Sequence, residues 1–304
     1  MNAALAASKK LTMKKSDHYK PGRKLRARSQ SIRGVDYHFN EWGDQDAPLF
    51  FYLHGWADTG STFQFVVDAL ASEWHIVAPD WRGFGRTNLR SQSYWFPDYL
   101  ADLHEILNLY SPDEPVKLVG HSMGGNVASL YAGTVPERVS ELINIEGFGL
   151  PDSDPLDAPK RYRQWLQAIE EPPVFSTYAD IDSLAMRIQK RNASLSAAEA
   201  NFVAQQWAVE EGGLVRLRAD PNHKLPNPVL YRRAEAEACW RQVSARVLLV
   251  YGESSSFAKR LGALEALPFP NGETCTIPGV GHMIHFEDAP RLAEHIEHFL
   301  KKVV

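Results

Sequence analysis

Gly120-His121-Ser122-Met123-Gly124 sets a serine between two glycines. The apolar run Val116 to Val119 leads into it, and the helix-like segment Asn126 to Thr134 follows. A serine on a sharp strand-to-helix turn needs small neighbours two positions away, and here both are glycine, with Gly125 adding room. Such a turn lifts the hydroxyl clear of the backbone. The helix N-terminus below it favours developing negative charge. Ser122 is therefore the candidate nucleophile.

A serine hydroxyl attacks well only when a base takes its proton. His282, in Pro278-Gly279-Val280-Gly281-His282, is the candidate base among 11 histidines. It falls in the loop between the last strand and the final helix, and the glycines let that loop bend close to the sheet. In an open parallel sheet this loop shares an edge with the serine turn. His285 reads as helical packing or a surface group. His121 reads as support for the turn. The base in turn needs a carboxylate to fix its tautomer and stabilise the imidazolium. Glu146, after Leu142 to Ile145, and Glu253, after Val247 to Tyr251, both follow apolar strands and both qualify.

An oxyanion formed at Ser122 needs hydrogen-bond donors. His54-Gly55-Trp56 ends another strand, so the backbone N–H of Trp56 is one candidate. The N–H of Met123, just after the nucleophile, is the second. His54, His121, Trp81, Phe148 and Trp207 are expected around a substrate pocket. Asp80 is a weak catalytic candidate. The Gly-rich loop Asp80 to Arg86 lacks the spacing of a phosphate-binding loop and reads as a structural turn.

These residues need a scaffold that brings strand ends to one rim. Apolar strands at 35–42, 49–53, 75–78, 116–119, 142–145, 247–251 and 274–277 alternate with helical patterns at 96–109, 257–267 and 290–300. Continuous apolar strands separated by helices imply a mostly parallel sheet covered on both faces. Residues 150–241 break the rhythm. They show no convincing strand, but hold helical patterns at 161–169, 181–189 and 197–210, the last opened by a Ser196/Glu199 capping box. That block is expected to cover the sheet edge.

Charge is uneven. Residues 1–28 carry nine Lys or Arg against one acid, a net +8, while the chain totals −4, which leaves −12 for the remainder. An acidic body disfavours nucleic acid as a partner. The first 29 residues are expected to be a basic, poorly ordered tail. No run reaches the roughly 18 apolar residues of a membrane span. Cys239 and Cys275 lie far apart without metal-ligand spacing, which suits a reducing cytoplasmic setting.

Taken together, His54-Gly55, Gly120 to Gly124 and Gly281-His282 resemble the α/β-hydrolase fold superfamily, across about residues 30–302. The resemblance implies an eight-stranded, mostly parallel sheet with flanking helices. It places the core at residues 30–149 and 242–304, with a helical cap at 150–241, inserted after strand six. It also implies serine-dependent acyl transfer without cofactor or metal, with Trp56 and Met123 as oxyanion donors. Many relatives carry the acid as Gly-x-x-Asp after strand seven. Here Gly252-Glu253-Ser254-Ser255 puts Ser255 in that place. Haloalkane dehalogenases resemble this chain in having a glutamate directly after strand six, as in Ile145-Glu146-Gly147, which favours Glu146 over Glu253. Their nucleophile is aspartate, so their activity and that of epoxide hydrolases are disfavoured. Ile145 to Gly149 and Arg218 to Lys224 look most similar to serine hydrolase-like proteins. The expected function is cleavage of small or medium apolar carboxylic esters through an acyl-enzyme. The alternatives are lactone, amide or C–C hydrolysis by the same three residues, or a non-catalytic ligand-binding protein. A monomer or homodimer with a small-molecule substrate is expected.

Overall fold

The computed structural model describes residues 18–87, 90–256 and 267–301. The helical pattern at 257–267 lies almost wholly outside them. Eight strands among the described residues form one sheet in the order β1-β2-β4-β3-β5-β6-β9-β10. They are β1 (Arg26–Ile32), β2 (Val35–Trp42), β3 (Leu49–Leu53), β4 (His75–Pro79), β5 (Val116–His121), β6 (Val139–Ile145), β9 (Arg246–Gly252) and β10 (Gly272–Ile277). Only β2 runs against the rest.

The sheet is covered on both faces, and the side-chain alternation shows it. In β9, Leu248 and Val250 join one core while Val247 and Leu249 join the other. In β3, Phe50 and Tyr52 face the first core, and Phe51 and Leu53 face the second. Period-two alternation of apolar side chains on both faces requires helices above and below. The first core contains α1 (Gln64–Ala69) and α9 (Ala289–Lys301), and the second contains α2 (Phe96–Tyr110) and α3 (Met123–Thr134).

Two expectations need correction. Residues 18–29 are not a poorly ordered tail, and the rest of that expectation, residues 1–17, lies outside the described residues. β1 starts at Arg26, and the residues before it are tied to α1: Tyr19 Oη and the backbone N–H groups of Gly22 and Arg23 all donate to the Asp68 carboxylate. β1 was hidden because it is an edge strand with six exposed residues and no apolar alternation. The block at 150–241 does hold strands. Its helices are α4 (Ala158–Glu170), α5 (Ile181–Arg191), α6 (Ala197–Trp207) and α7 (Arg233–Trp240). Helix α6 stops at Trp207, and the chain turns into the hairpin β7 (Ala208–Glu211) and β8 (Leu214–Leu217). Gly212 and Gly213 both have positive φ, 60° and 78°. A Gly-Gly pair of that kind closes a two-residue hairpin. The Ser196/Glu199 capping box opens α6. Among the described residues, no helix is long and apolar enough to cross a membrane.

A buried ion network fixes the loop after β4. The Asp102 carboxylate accepts from Tyr37 Oη (2.5 Å), from Arg82 Nε and Nη2 (2.5 and 2.6 Å) and from Arg33 Nη1 (3.0 Å). Removing the anion leaves the largely buried Arg82 guanidinium only its longer ion pair with Asp98, at 3.5 Å. Asp102→Ala is expected to cost about 3 kcal/mol or more of stability. A urea titration would read this as a lower midpoint, and a shift equivalent to less than about 1 kcal/mol would contradict it.

Candidate active site

Parallel strands end at one edge, and that edge gathers the site. β3 ends at His54-Gly55, β5 at Ser122, β6 at Glu146, β9 at the Ser254 to Ser256 turn, and β10 at the loop carrying His282. Ser122 occupies a positive-φ conformation, φ 50° and ψ −112°, at the head of α3. The adjoining glycines are there for clearance. A Cβ on Gly120 would lie 2.6 Å from the Gly124 carbonyl oxygen, and one on Gly124 would lie 2.0 Å from that of Leu53. The turn is pinned by Ser122 N–H to the Ile145 carbonyl at 2.7 Å.

Three distant side chains meet here. His282 Nε2 lies 3.1 Å from Ser122 Oγ, and His282 Nδ1 lies 3.1 Å from Glu146 Oε2. A carboxylate only accepts, so Nδ1–H donates to Glu146 and Nε2 is left to accept the serine proton. Glu146 is buried, with a φ of 59°. Its Oε1 accepts from Gly252 N–H at 2.8 Å, and its Oε2 accepts from Ser255 Oγ at 2.5 Å. Ser255, on the turn after β9, therefore supplies a hydroxyl that holds the Glu146 carboxylate from the neighbouring strand. Glu253 is turned away and accepts from Gly279 N–H at 3.0 Å.

The His282 loop is clamped. The Glu287 carboxylate accepts from the N–H groups on both sides of the histidine, Gly281 at 2.8 Å and Met283 at 3.2 Å. His121 Nε2–H donates to the His282 carbonyl at 2.9 Å. Burial and the facing imidazoles of His285 and His282 push His121 well below its ordinary pKa, so it stays neutral.

The first turn of α3 leaves the Met123 N–H without a partner inside the helix. The turn after β3 abuts the serine: a Cβ on Gly55 would lie 3.3 Å from Ser122 Cβ and 2.9 Å from His121 Nδ1. Trp56, the next residue, has a half-exposed ring packed near Phe84 and Phe175.

A cavity of about 540 Å³ lies between the 150–241 block and the sheet edge, with His282, Met283, Ser255 and Trp207 in its wall. The other expected pocket residues sit behind it. His54 is fully buried, its Nδ1–H donating to the Gly55 carbonyl and its Nε2 accepting from Trp81 N–H. Trp81 is fully buried too, its indole donating to the His54 carbonyl. Phe148 belongs to the second core, and His121 is spent on the histidine loop. Asp80 is structural, accepting from Asn40, Gly60 and Arg86.

His285 is neither a surface group nor plain packing. It is fully buried, and its Nε2–H donates to Asp58 Oδ2 at 3.1 Å. Asp58 Oδ1 accepts from Thr59 N–H, Thr62 Oγ1 and the indole of Trp207, each at 2.8 Å. One carboxylate thus ties the turn after β3 to the His282 loop and to α6. Its signal in the sequence is an acid four residues after His54, which no spacing rule marks. Asp58, His121 and His285 bring ligand-type atoms within 4.8 Å of one another. The Nε2 atoms are taken by the Asp58–His285 bond and the His121 bond to the His282 carbonyl, while Nδ1 of His121 and of His285 is buried without a hydrogen-bond partner among the described residues.

A family model described as alpha/beta hydrolase fold matches residues 48–289, and the chain belongs to that family. It is 28% identical over 227 residues to a serine hydrolase-like protein of Danio rerio, covering 71% of this chain and 68% of the relative. It is 27% identical over 277 residues to a 3-hydroxybutyrate-oligomer hydrolase of Cupriavidus necator, covering 84% and 89%. Among solved structures it superposes on the thioesterase domain from the curacin biosynthetic pathway with a TM-score of 0.80, at 26% identity, covering 90% of this chain and 99% of that one.

Burial raises the Asp58 carboxyl, but the hydrogen bond from His285 and the electrostatic influence of the His285 and His54 imidazoles, with the Thr62 hydroxyl, outweigh it and hold the pKa below the usual carboxylate value. A depressed folded-state pKa means that the charged form stabilises the fold above the unfolded value, and that this stability is lost as pH falls through the folded value. Asp58→Asn is therefore expected to melt earlier than the wild type at pH 7, by about 1–3 kcal/mol. The gap should narrow below about pH 4. A gap that widened in acid would contradict the assignment.

Proposed function

We propose that the protein is a serine hydrolase that cleaves carboxylic esters of small to medium apolar substrates through an acyl-enzyme. The observation that carries this reading is the unbroken chain Ser122 Oγ, His282 Nε2, His282 Nδ1, Glu146 Oε2, with 3.1 Å at each step between residues. In the proposed cycle Ser122 Oγ bonds to the ester carbonyl carbon while its proton passes to His282 Nε2. Glu146 orients the imidazole and stabilises the imidazolium. The backbone N–H groups of Trp56 and Met123 hold the oxyanion. His282 gives the proton to the departing alkoxide, and the C–O bond breaks. Water then attacks the acyl-serine by the same route and returns the free enzyme.

The helical block at 150–241 acts in this reading as a cap that shapes the apolar side of the cavity, with Trp207, Leu184, Ile188 and Leu217 in its wall. A relative named for hydrolysing 3-hydroxybutyrate oligomers supports an oxygen ester as the scissile bond. A cytoplasmic site is part of the proposal, supported by two free cysteines.

A fluorophosphonate probe should label the wild type, and Ser122→Ala should abolish both labelling and ester turnover. An unlabelled wild type would leave a ligand-binding protein instead of an enzyme. Glu146→Gln should lower kcat by roughly 1,000–10,000-fold with little effect on folding, while Glu253→Gln should stay near wild type. The reverse pattern would move the acid to Glu253.

A further inference from the structure

Helix α5 sets two exposed arginines in the wall of the cavity. Leu184, Arg187, Ile188 and Arg191 fall at i, i+3, i+4 and i+7, so they share one side of the helix. All four line the cavity that reaches His282. The opposite side presents Met186, 65% exposed.

Neither guanidinium has a hydrogen-bond or ion-pair partner among the described residues. The carboxylates nearby are committed elsewhere. Glu287 also lines the cavity, but both of its oxygens accept from the backbone of the His282 loop. Glu253 is held by Gly279 N–H, and Asp182, on α5 itself, accepts from Asn201 Nδ2. Two arginines one helical turn apart thus line the cavity with no carboxylate paired to them among the described residues. The rest of the wall is mixed: apolar at Leu184, Ile188, Trp207 and Met283, hydroxylic at Ser254 to Ser256.

We infer that Arg187 and Arg191 read the far end of the substrate, and that the physiological ester carries an oxyanion there, a carboxylate or a phosphate. Guanidinium groups bind either one bidentately. The inference rests on the ester-hydrolase reading for the identity of the reacting bond, but the anion site stands on α5 alone. The apolar stretch between the two ends would hold the aliphatic chain of the acid or alcohol part. Both arginines are substantially exposed, so each contact is weakened by solvent, and the effect is expected mainly in KM.

The test uses three p-nitrophenyl esters of similar acyl length: the hexanoate, the adipate half-ester and a 5-phosphonopentanoate. In the wild type kcat/KM for at least one anionic ester should exceed that for the hexanoate at low ionic strength, with the advantage shrinking at high salt. In R187A/R191A the anionic-to-neutral ratio should fall about tenfold, through KM. R187K/R191K should recover only part of it, because lysine keeps the charge but not the fork. Whichever tail loses more identifies the oxyanion. A ratio that changes less than about twofold in the double variant would overturn the inference. Should the wild type cleave none of the three, the ester reading fails separately. Calorimetric titration with adipate then decides the anion site: binding lost in R187A/R191A supports it, and no binding to the wild type sinks it.

Discussion

A serine at φ 50° is a conformation that a side-chain-bearing residue resists, and the site depends on holding it there. Such a backbone costs of order 1–3 kcal/mol and persists only where its surroundings over-determine it. Here they do. The Ile145 carbonyl accepts the serine N–H, α3 continues from the next residue, and β3 approaches so closely that position 124 has no space for a Cβ. The strain is held by sheet register, because β5 lies between β3 and β6 with both neighbours parallel. The position of the hydroxyl is therefore a consequence of the strand order.

The same edge explains why the acid can sit on either of two strands. β6 and β9 are paired in parallel register up to Ile145 and Val250, so their C-terminal turns are adjacent. Glu146 reaches His282 from the β6 turn, while Glu253 on the β9 turn is held by Gly279 N–H. In this chain Glu146 also takes a positive φ, 59°, and its buried carboxylate is anchored by Gly252 N–H and Ser255 Oγ from the turn beside it. A serine at position 255 is thus a donor suited to a carboxylate on β6, where an aspartate at the same place would set two anions side by side. The departure from the commoner motif and the placement of Glu146 are two sides of one arrangement.

What was legible in the sequence follows from how far each signal reaches along the chain. Continuous apolar runs such as Val247 to Val250 announce strands buried on both faces, because every residue there must be apolar. The serine turn is legible because its glycines are adjacent in sequence. β1 was not, since an exposed edge strand of sequence Arg-Ala-Arg-Ser-Gln-Ser-Ile carries no hydrophobic period. The β7–β8 hairpin was legible in principle from Gly212-Gly213 but lay hidden at the end of a helical pattern. The Asp58–His285 pair spans 227 residues, and no local spacing encodes it. Of the aromatic residues expected at the pocket, Trp207 lines the cavity, while Trp81 and Phe148 are buried in the core, because in sequence an aromatic looks alike whether it lines a cavity or fills a core.

Asp58 joins the parts that a hydrolytic cycle would need to keep in register. The donor turn after β3, the base loop after β10 and the end of α6 arise from three separate stretches of chain, and each donates to the same carboxylate. A buried carboxylate is stable only while its donors stay in place, since losing one leaves the charge poorly solvated. Movement of α6 away from the sheet would pull Trp207 from Asp58 and weaken the anchor of both loops at once. The geometry of the proposed oxyanion turn and base is thus coupled to the position of the block above them. Arg187 and Arg191 are carried by α5, which packs beside α6 in that block, so an anion held as inferred above would sit two packed helices away from the same carboxylate.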